Sequence, residues 1–179
     1  QGGLNDQLAG GFHRYSVDRH WRVPHFEKML YDNALLPIVY LEAWQATKNP
    51  FFSDIAKQTL DWVLREMRSN QGGFYSSQDA ESEGEEGTYY VWNKEEITQI
   101  LDRQSAEIFS KHYGVSEEGN FKKDNNILHI AKDLKMIASE LSISETDVKQ
   151  SLEQSKKIIL KHRNKRIKPA TDDKILTSW

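Results

Sequence analysis

Two Gly-Gly-Phe triplets, Gly10-Gly11-Phe12 and Gly72-Gly73-Phe74, constrain the chain more than any other feature. Subtracting 10 from 72 gives a spacing of 62 residues, room for two helices of about 20 residues and their turns. Both triplets should therefore emerge at the same end of an antiparallel helical hairpin. Pro24 biases Val23 to extended backbone, so the first helix is expected after His25, over residues 26–48. Ala34, Leu35, Leu36, Ile38, Val39, Tyr40, Leu41, Ala43 and Trp44 make that helix apolar on nearly all sides, the pattern of a helix enclosed by others. Pro37 inside it predicts a kink or local widening. Asn49 is suited to cap the second helix and Pro50 to its first position. Its apolar face is drawn through Ile55, Ala56, Leu60, Val63, Leu64 and Met67, with Lys57, Asp61, Arg65 and Arg68 on the water side.

After the second triplet, residues 74–77 and 88–92 read as two short strands joined by an acidic, glycine-containing loop. Asn93 with Glu96 forms a capping-box pattern ahead of Ile97, Ile100 and Leu101. A further helix through Ala106, Phe109 and Tyr113 stops at Gly114. Residues 126–130 read as extended and 132–141 as a short helix. Ser144 with Asp147 starts a last long helix whose buried side carries Val148, Leu152 and Ile159.

The chemistry-bearing residues concentrate between Gly10 and Leu36. That stretch holds His13, His20 and His25, three of the six histidines, with Asp18, Glu27, Asp32, Arg14 and the rings of Tyr15, Trp21 and Tyr31. If the two triplets share an end, Glu27 or Asp32 faces Asp79 or Glu81 across a cleft. Paired carboxylates are what glycoside cleavage needs, one protonated as acid and one ionised as base or nucleophile. An imidazole at His13, His20 or His25 suits proton abstraction beside a sugar carbonyl instead. Tyr15, Trp21, Tyr31 and Tyr75 are suited to stacking on sugar faces. The competing reading is a buried polar network in which each His and Arg satisfies a neighbour, with the rings as core. The histidine separations of seven and five residues match no helical i,i+4 metal pair, and no metal is expected.

Composition removes several function classes. With 24 basic and 27 acidic residues the net charge is −3, which indicates no general preference for nucleic acid or anionic membrane. The absence of cysteine excludes disulfides, a thiol nucleophile and a Cys-based zinc site within these residues. No apolar run approaches the roughly 20 residues of a membrane span, and the compartment is left open. Residues 156–168 carry seven Lys and Arg and no acid, but lack the aromatics of a base-stacking surface. They read as a solvated helix end whose charge matches the dipole. Glu81, Glu83, Glu85 and Glu86 lack calcium-loop spacing and read as an exposed acidic loop.

The run GGFHRYSVDRHWRVPHFEKMLYDNALL, followed by GGFYSSQDAESEGEEGTYYVW, GNF, NIL and DDKILTSW, resembles the thioredoxin-domain-containing YyaL type, the spermatogenesis-associated protein 20-like family. The resemblance covers nearly the whole chain, with His13, Arg14, His25, Glu27, Asp32, Asp79 and Asp173 among its motif residues. It implies an upstream thioredoxin-like domain and an α/α toroid resembling six-hairpin glycosidases and N-acylglucosamine 2-epimerases, of which this chain is the first half or so. The resulting expectation is an all-α single domain of helical hairpins, part of a toroid, with a small β hairpin near residues 74–92. A chain opening at Gln1 without Met and closing at Leu176-Thr177-Ser178-Trp179, where an apolar segment starts, also reads as a fragment. The candidate catalytic residues are His25, Glu27, Asp32 and Asp79. The candidate substrate-binding residues are His13, Arg14, Tyr15, Trp21, Tyr31, Tyr75 and Glu81. Expected partners are a carbohydrate or other small molecule, the thioredoxin-like domain and the remaining toroid half, and a second copy of an incompletely covered chain. No cofactor, nucleic acid or membrane is expected. A sugar epimerase, isomerase or glycosidase-like enzyme and a non-catalytic protein- or sugar-binding module both remain open.

Overall fold

The computed structural model describes residues 2–175. Its order is β1 (Tyr15–Ser16), β2 (Pro24–His25), β3 (Lys28–Met29), α1 (Leu30–Thr47), α2 (Pro50–Trp62), β4 (Tyr75–Gln78), β5 (Glu81–Ser82), β6 (Glu85–Glu86), α3 (Lys94–Ile100), α4 (Arg103–Tyr113), α5 (Leu134–Leu141), α6 (Glu145–Arg163) and β7 (Thr171–Ile175). A widened π-helical segment, Val63–Met67, continues α2. The described residues are thus mainly helical, as expected, with small antiparallel sheets that go beyond the single hairpin expected. The apolar segment expected to start at Leu176 lies outside the described residues.

Local signals set the helix ends. Asn49 accepts from the Phe51 amide, and the Asn93–Glu96 capping box is complete in both directions. Asp102, Asp133 and Ser144 cap α4, α5 and α6, and Gly114 ends α4 in the left-handed region at φ 68°. Each device satisfies backbone groups that a helix end leaves without partners. Helices α3 to α6 enclose the largest core, in which Trp92, Ile97, Phe109, Ile137, Val148, Leu152 and Ile159 are buried.

Helix α1 begins at Leu30, four residues later than the sequence implies, because Lys28 and Met29 are claimed by a sheet. They pair with Gln78 and Ser77 of β4, whose other edge takes β7 through Tyr75–Ile175, Ser77–Asp172 and Gln78–Thr171. With both edges of β4 filled by distant segments, residues 74–77 and 88–92 do not form the expected hairpin. Residues 87–90 are turn, Trp92 makes one bridge to Asn126, and the hairpin in this region is the two-residue β5–β6 pair.

The α1–α2 hairpin is present, and both triplets converge on its end. A Cβ at Gly11 would press on the indole of Trp62, and Phe74 packs against the same Trp62–Val63–Met67 cluster. Asn33, fully buried, locks the first triplet to α1: its Oδ1 accepts from the Phe12 amide at 2.6 Å, and its Nδ2 donates to the Phe12 and Met29 carbonyls. Helix α1 runs unbroken through Pro37, and the widened turn falls in residues 63–67 instead. Among the described residues α1 is not enclosed: Leu35 and Val39 are 61% and 59% exposed. The buried line of α2 runs through Ala56, Thr59 and Trp62, with Leu60 and Leu64 facing outward. Leu30, Tyr31, Ala34, Leu35, Leu60 and Phe74 line an open apolar groove of about 570 Å³ beside this pair.

The basic end of α6 is not simply solvated. Arg163 is buried, and Arg166 lies 3.8 Å over the Trp92 ring while donating to the Tyr89 and Val91 carbonyls and to Glu96. The guanidinium fork fits planar acceptors and ring faces, so these two arginines act as anchors between elements.

Candidate functional site

Two polar clusters lie back to back across residues 13–28, one in the interior and one at the surface. Strand alternation separates them, since successive side chains point to opposite faces. Phe26 and Lys28 turn inward; His25 and Glu27 turn outward.

The interior cluster centres on Asp6. Its Oδ2 accepts from Lys28 Nζ at 2.8 Å and Arg163 Nη2 at 2.9 Å, and its Oδ1 accepts from Arg163 Nη1 at 2.8 Å and the Leu8 and Ala9 amides. Lys28 Nζ also donates to the Gly10 carbonyl and sits 4.7 Å over the Trp62 ring. Burial pushes the Asp6 carboxyl up, but Arg163 and Lys28 outweigh it and hold it well below the usual range. Burial lowers Lys28 to about 8 against the pull of Asp6. His13, enclosed by Phe26 and Tyr90 with Nδ1 on the Phe26 carbonyl at 2.8 Å, is lowered by burial and by Lys28 to about 3. The adjoining cavity is about 20 Å³, room for one water and no substrate. This cluster fastens the N-terminal loop, β3 and α6 together; His13 belongs to it.

The surface cluster is built on the β1–β2 hairpin, where Tyr15 pairs with His25. The Tyr15 ring stacks on the imidazole with centroids 5.0 Å apart and remains 49% exposed. His25 lies between two carboxylates: Nδ1 is 2.7 Å from Glu86 Oε1, and Nε2 is 3.8 Å from Glu27 Oε2. These occupy opposite ring nitrogens, so they cannot converge on one metal ion. Among the described residues no set of His, Asp and Glu side chains gathers to hold one. Arg14 Nη1 bonds Glu27 Oε2 at 3.0 Å, and Glu27 followed by Tyr31 raises the guanidinium above its ordinary value. Asp32, in the first turn of α1, carries a buried Oδ2 that meets no hydrogen-bond donor among the described residues. Its carboxyl is raised, chiefly by burial, against Arg14 and with the help of Glu27.

The structure thus brings together His25, Glu27, Asp32, Arg14, Tyr15 and Tyr31. Glu27 is not at a helix N-terminus as the sequence suggests; it is held by Arg14 outside the sheet edge. Asp79 is one residue past the Lys28–Gln78 pair, at the same end; its amide donates to the Ala170 carbonyl and its Oδ1 accepts from the Glu81 amide. Glu81 pairs through its backbone with Glu86, but among the described residues no side-chain hydrogen bond or ion pair joins Asp79 or Glu81 to His25, Glu27 or Asp32. Tyr75 packs into the Trp62 cluster. Trp21 stands 63% exposed at the hairpin tip in the left-handed region, φ 60°. Sequence reasoning missed Asp6, Lys28, Arg163 and the role of Glu86. Only the alternation Phe26-Glu27-Lys28, read as strand, signals that Lys28 points inward.

No family profile matches the chain. The chain is homologous over nearly its whole length to spermatogenesis-associated protein 20: it is 37% identical to the human and mouse proteins, with 99% of this chain aligned. An uncharacterised protein of Caenorhabditis elegans is 32% identical over the same share. The chain spans about a quarter of the length of these relatives, 26% of the mammalian proteins and 28% of the nematode one.

Proposed function

We propose that this segment, homologous to part of spermatogenesis-associated protein 20, supplies one wall of a carbohydrate-handling cleft within an α/α toroid. The observation that carries the reading is the pair Asp32 and Glu27. One carboxyl is raised by burial and has an oxygen without a donor; the other is held by Arg14. A carboxyl raised by burial suits proton donation, which assigns Asp32 the acid's part, with Glu27, held by Arg14, as the second carboxyl of the pair. His25 is bonded through Nδ1 to Glu86 at 2.7 Å and turns its Nε2 toward Glu27 at 3.8 Å, which leaves that nitrogen available to a ligand. The exposed face of Tyr15 offers a platform for a sugar ring. This arrangement fits epimerase or isomerase chemistry as well as hydrolysis. Asp79 is the additional carboxylate that a closing cleft wall would bring into range.

A second role is favoured by the exposed apolar residues Leu35, Ile38, Val39, Leu60 and Leu64, which suit contact with further helical hairpins, a thioredoxin-like domain or a second copy.

The test uses Asp32→Asn and His25→Ala. Sugar binding and turnover, screened by calorimetry and by product analysis, should fall at least tenfold in each variant while the melting temperature changes by less than about 3 °C, because neither side chain belongs to the core. Variants that unfold, with no sugar binding to the unaltered protein, would instead identify the cluster as scaffolding.

A further inference from the structure

The tip of the β1–β2 hairpin carries a feature that the acid–base cluster does not use. The Asp18 carboxylate accepts from the Ser16 hydroxyl and from the amides of His20, Arg22 and Val23, and those bonds, Val23 first, hold it at about 2. Asp18 is therefore spent on the loop's own backbone. The loop is braced from behind, where the Gly3 amide donates to the Trp21 carbonyl and a Cβ at Gly3 would collide with the Arg22 carbonyl oxygen. On this rigid frame Arg19, His20, Trp21 and Arg22 are all exposed. Among the described residues Arg19 donates to the His20 ring, and neither arginine has a carboxylate within ion-pair distance. Of the other arginines, Arg14, Arg65, Arg163 and Arg166 each meet an acid.

An exposed indole in a left-handed conformation, flanked in sequence by Arg19 and Arg22, is poorly explained by stability, since Trp21 buries little and strained backbone is destabilising. It is well suited to a ligand that offers a ring face to stack and an anion for a planar fork. Arg19 lies four residues along the chain from Tyr15 and Arg22 three from His25, a reach on the order of 10 Å if the chain is extended. A ligand touching both places must be longer than one sugar ring.

We propose that Arg19, Trp21 and Arg22 form a distal subsite for an acidic oligosaccharide, one bearing uronate carboxylates, whose other end reaches the His25–Glu27–Asp32 cluster. The inference rests on the carbohydrate reading above and adds the substrate class: Trp21 stacks on a sugar ring and the two arginines grip its carboxylate.

The experiment titrates the protein with tetragalacturonate and with its fully methyl-esterified, uncharged counterpart, for the unaltered chain, Trp21→Ala, the double variant Arg19→Gln/Arg22→Gln, and Asp32→Asn. The unaltered protein should bind the acid at least tenfold more tightly than the ester, with a preference that shrinks in high salt. Arg19→Gln/Arg22→Gln should erase the preference while binding the ester as before, and Trp21→Ala should weaken both. All three residues are exposed, so these variants should melt with the parent. Equal binding of acid and ester, or a preference that survives loss of both arginines, overturns the subsite while leaving the carbohydrate reading in place if Asp32→Asn still abolishes turnover. Binding that depends on the arginines but supports no turnover in any variant sustains the subsite and overturns the acid–base assignment. No binding of either probe overturns both.

Discussion

Removing the charges of the interior cluster one at a time should produce a steep and ordered loss of stability. Asp6, Lys28 and Arg163 place two cations around one anion, all at least 97% buried by side chain. Asp6→Asn leaves both cations without a counter-charge, and breaking a buried pair in this way costs about 3–5 kcal/mol. For a chain of this size that corresponds to a fall in melting temperature of about 6–20 °C. Lys28→Met has the opposite electrostatic character, because it leaves the bidentate Asp6–Arg163 pair intact and neutral. Lys28 is lowered from 10.5 to about 8, so holding it charged at neutral pH costs about 3 kcal/mol. Removing that charge offsets the loss of its two hydrogen bonds and its cation–π contact with Trp62, leaving a net change within about 1 kcal/mol. Arg163→Met should fall between the two, since Asp6 keeps Lys28 and two backbone amides. Urea denaturation at pH 7 on the three variants measures the order directly. A Lys28→Met loss as large as that of Asp6→Asn would refute the charge-balance reasoning and make the lysine an essential partner.

The same groups set the pH dependence. The folded-state value of His13, about 3, is depressed below 6.5, so the stability it contributes is fully present above 6.5 and drains as pH falls toward 3. The slope is about 1.4 kcal/mol per unit and Asp6 steepens it further in acid, which denaturation midpoints between pH 7 and 3 would show. Lys28 has the same sign at higher pH: its unfolded form holds a proton that the folded form sheds above about 8, so stability should rise from pH 8 to 10, and Lys28→Met should flatten the rise. Replacing Leu35 and Val39 by Lys on the exposed α1 face should leave the urea midpoint nearly unchanged while reducing self-association in sedimentation, whereas burial of that face in a monomer would give a large loss of stability. Asn93→Ala should cost about 1 kcal/mol through loss of the Glu96 amide's acceptor, read from the denaturation midpoint.

Sequence alone determined the parts whose causes lie within a few residues of one another. The caps at Asn49, Asn93 and Ser144 and the stop at Gly114 were legible because each backbone group and its partner are at most three or four positions apart. The surface cluster was largely legible for a related reason: Arg14, Tyr15, His25 and Glu27 sit on one hairpin, and only Glu86 comes from afar. Tertiary structure decided the rest. Residues 26–29 carry a pattern compatible with a helix, but Gln78 and Ser77 offer ladder partners and draw Lys28 and Met29 into a sheet. Arg163 looks like any exposed cation at a helix end until Asp6, 157 residues away, meets it in the interior. Helix α1 was read as enclosed because its side chains are apolar all round. Yet hydrophobic periodicity records which faces can be buried, while burial itself depends on whether another segment lies over them.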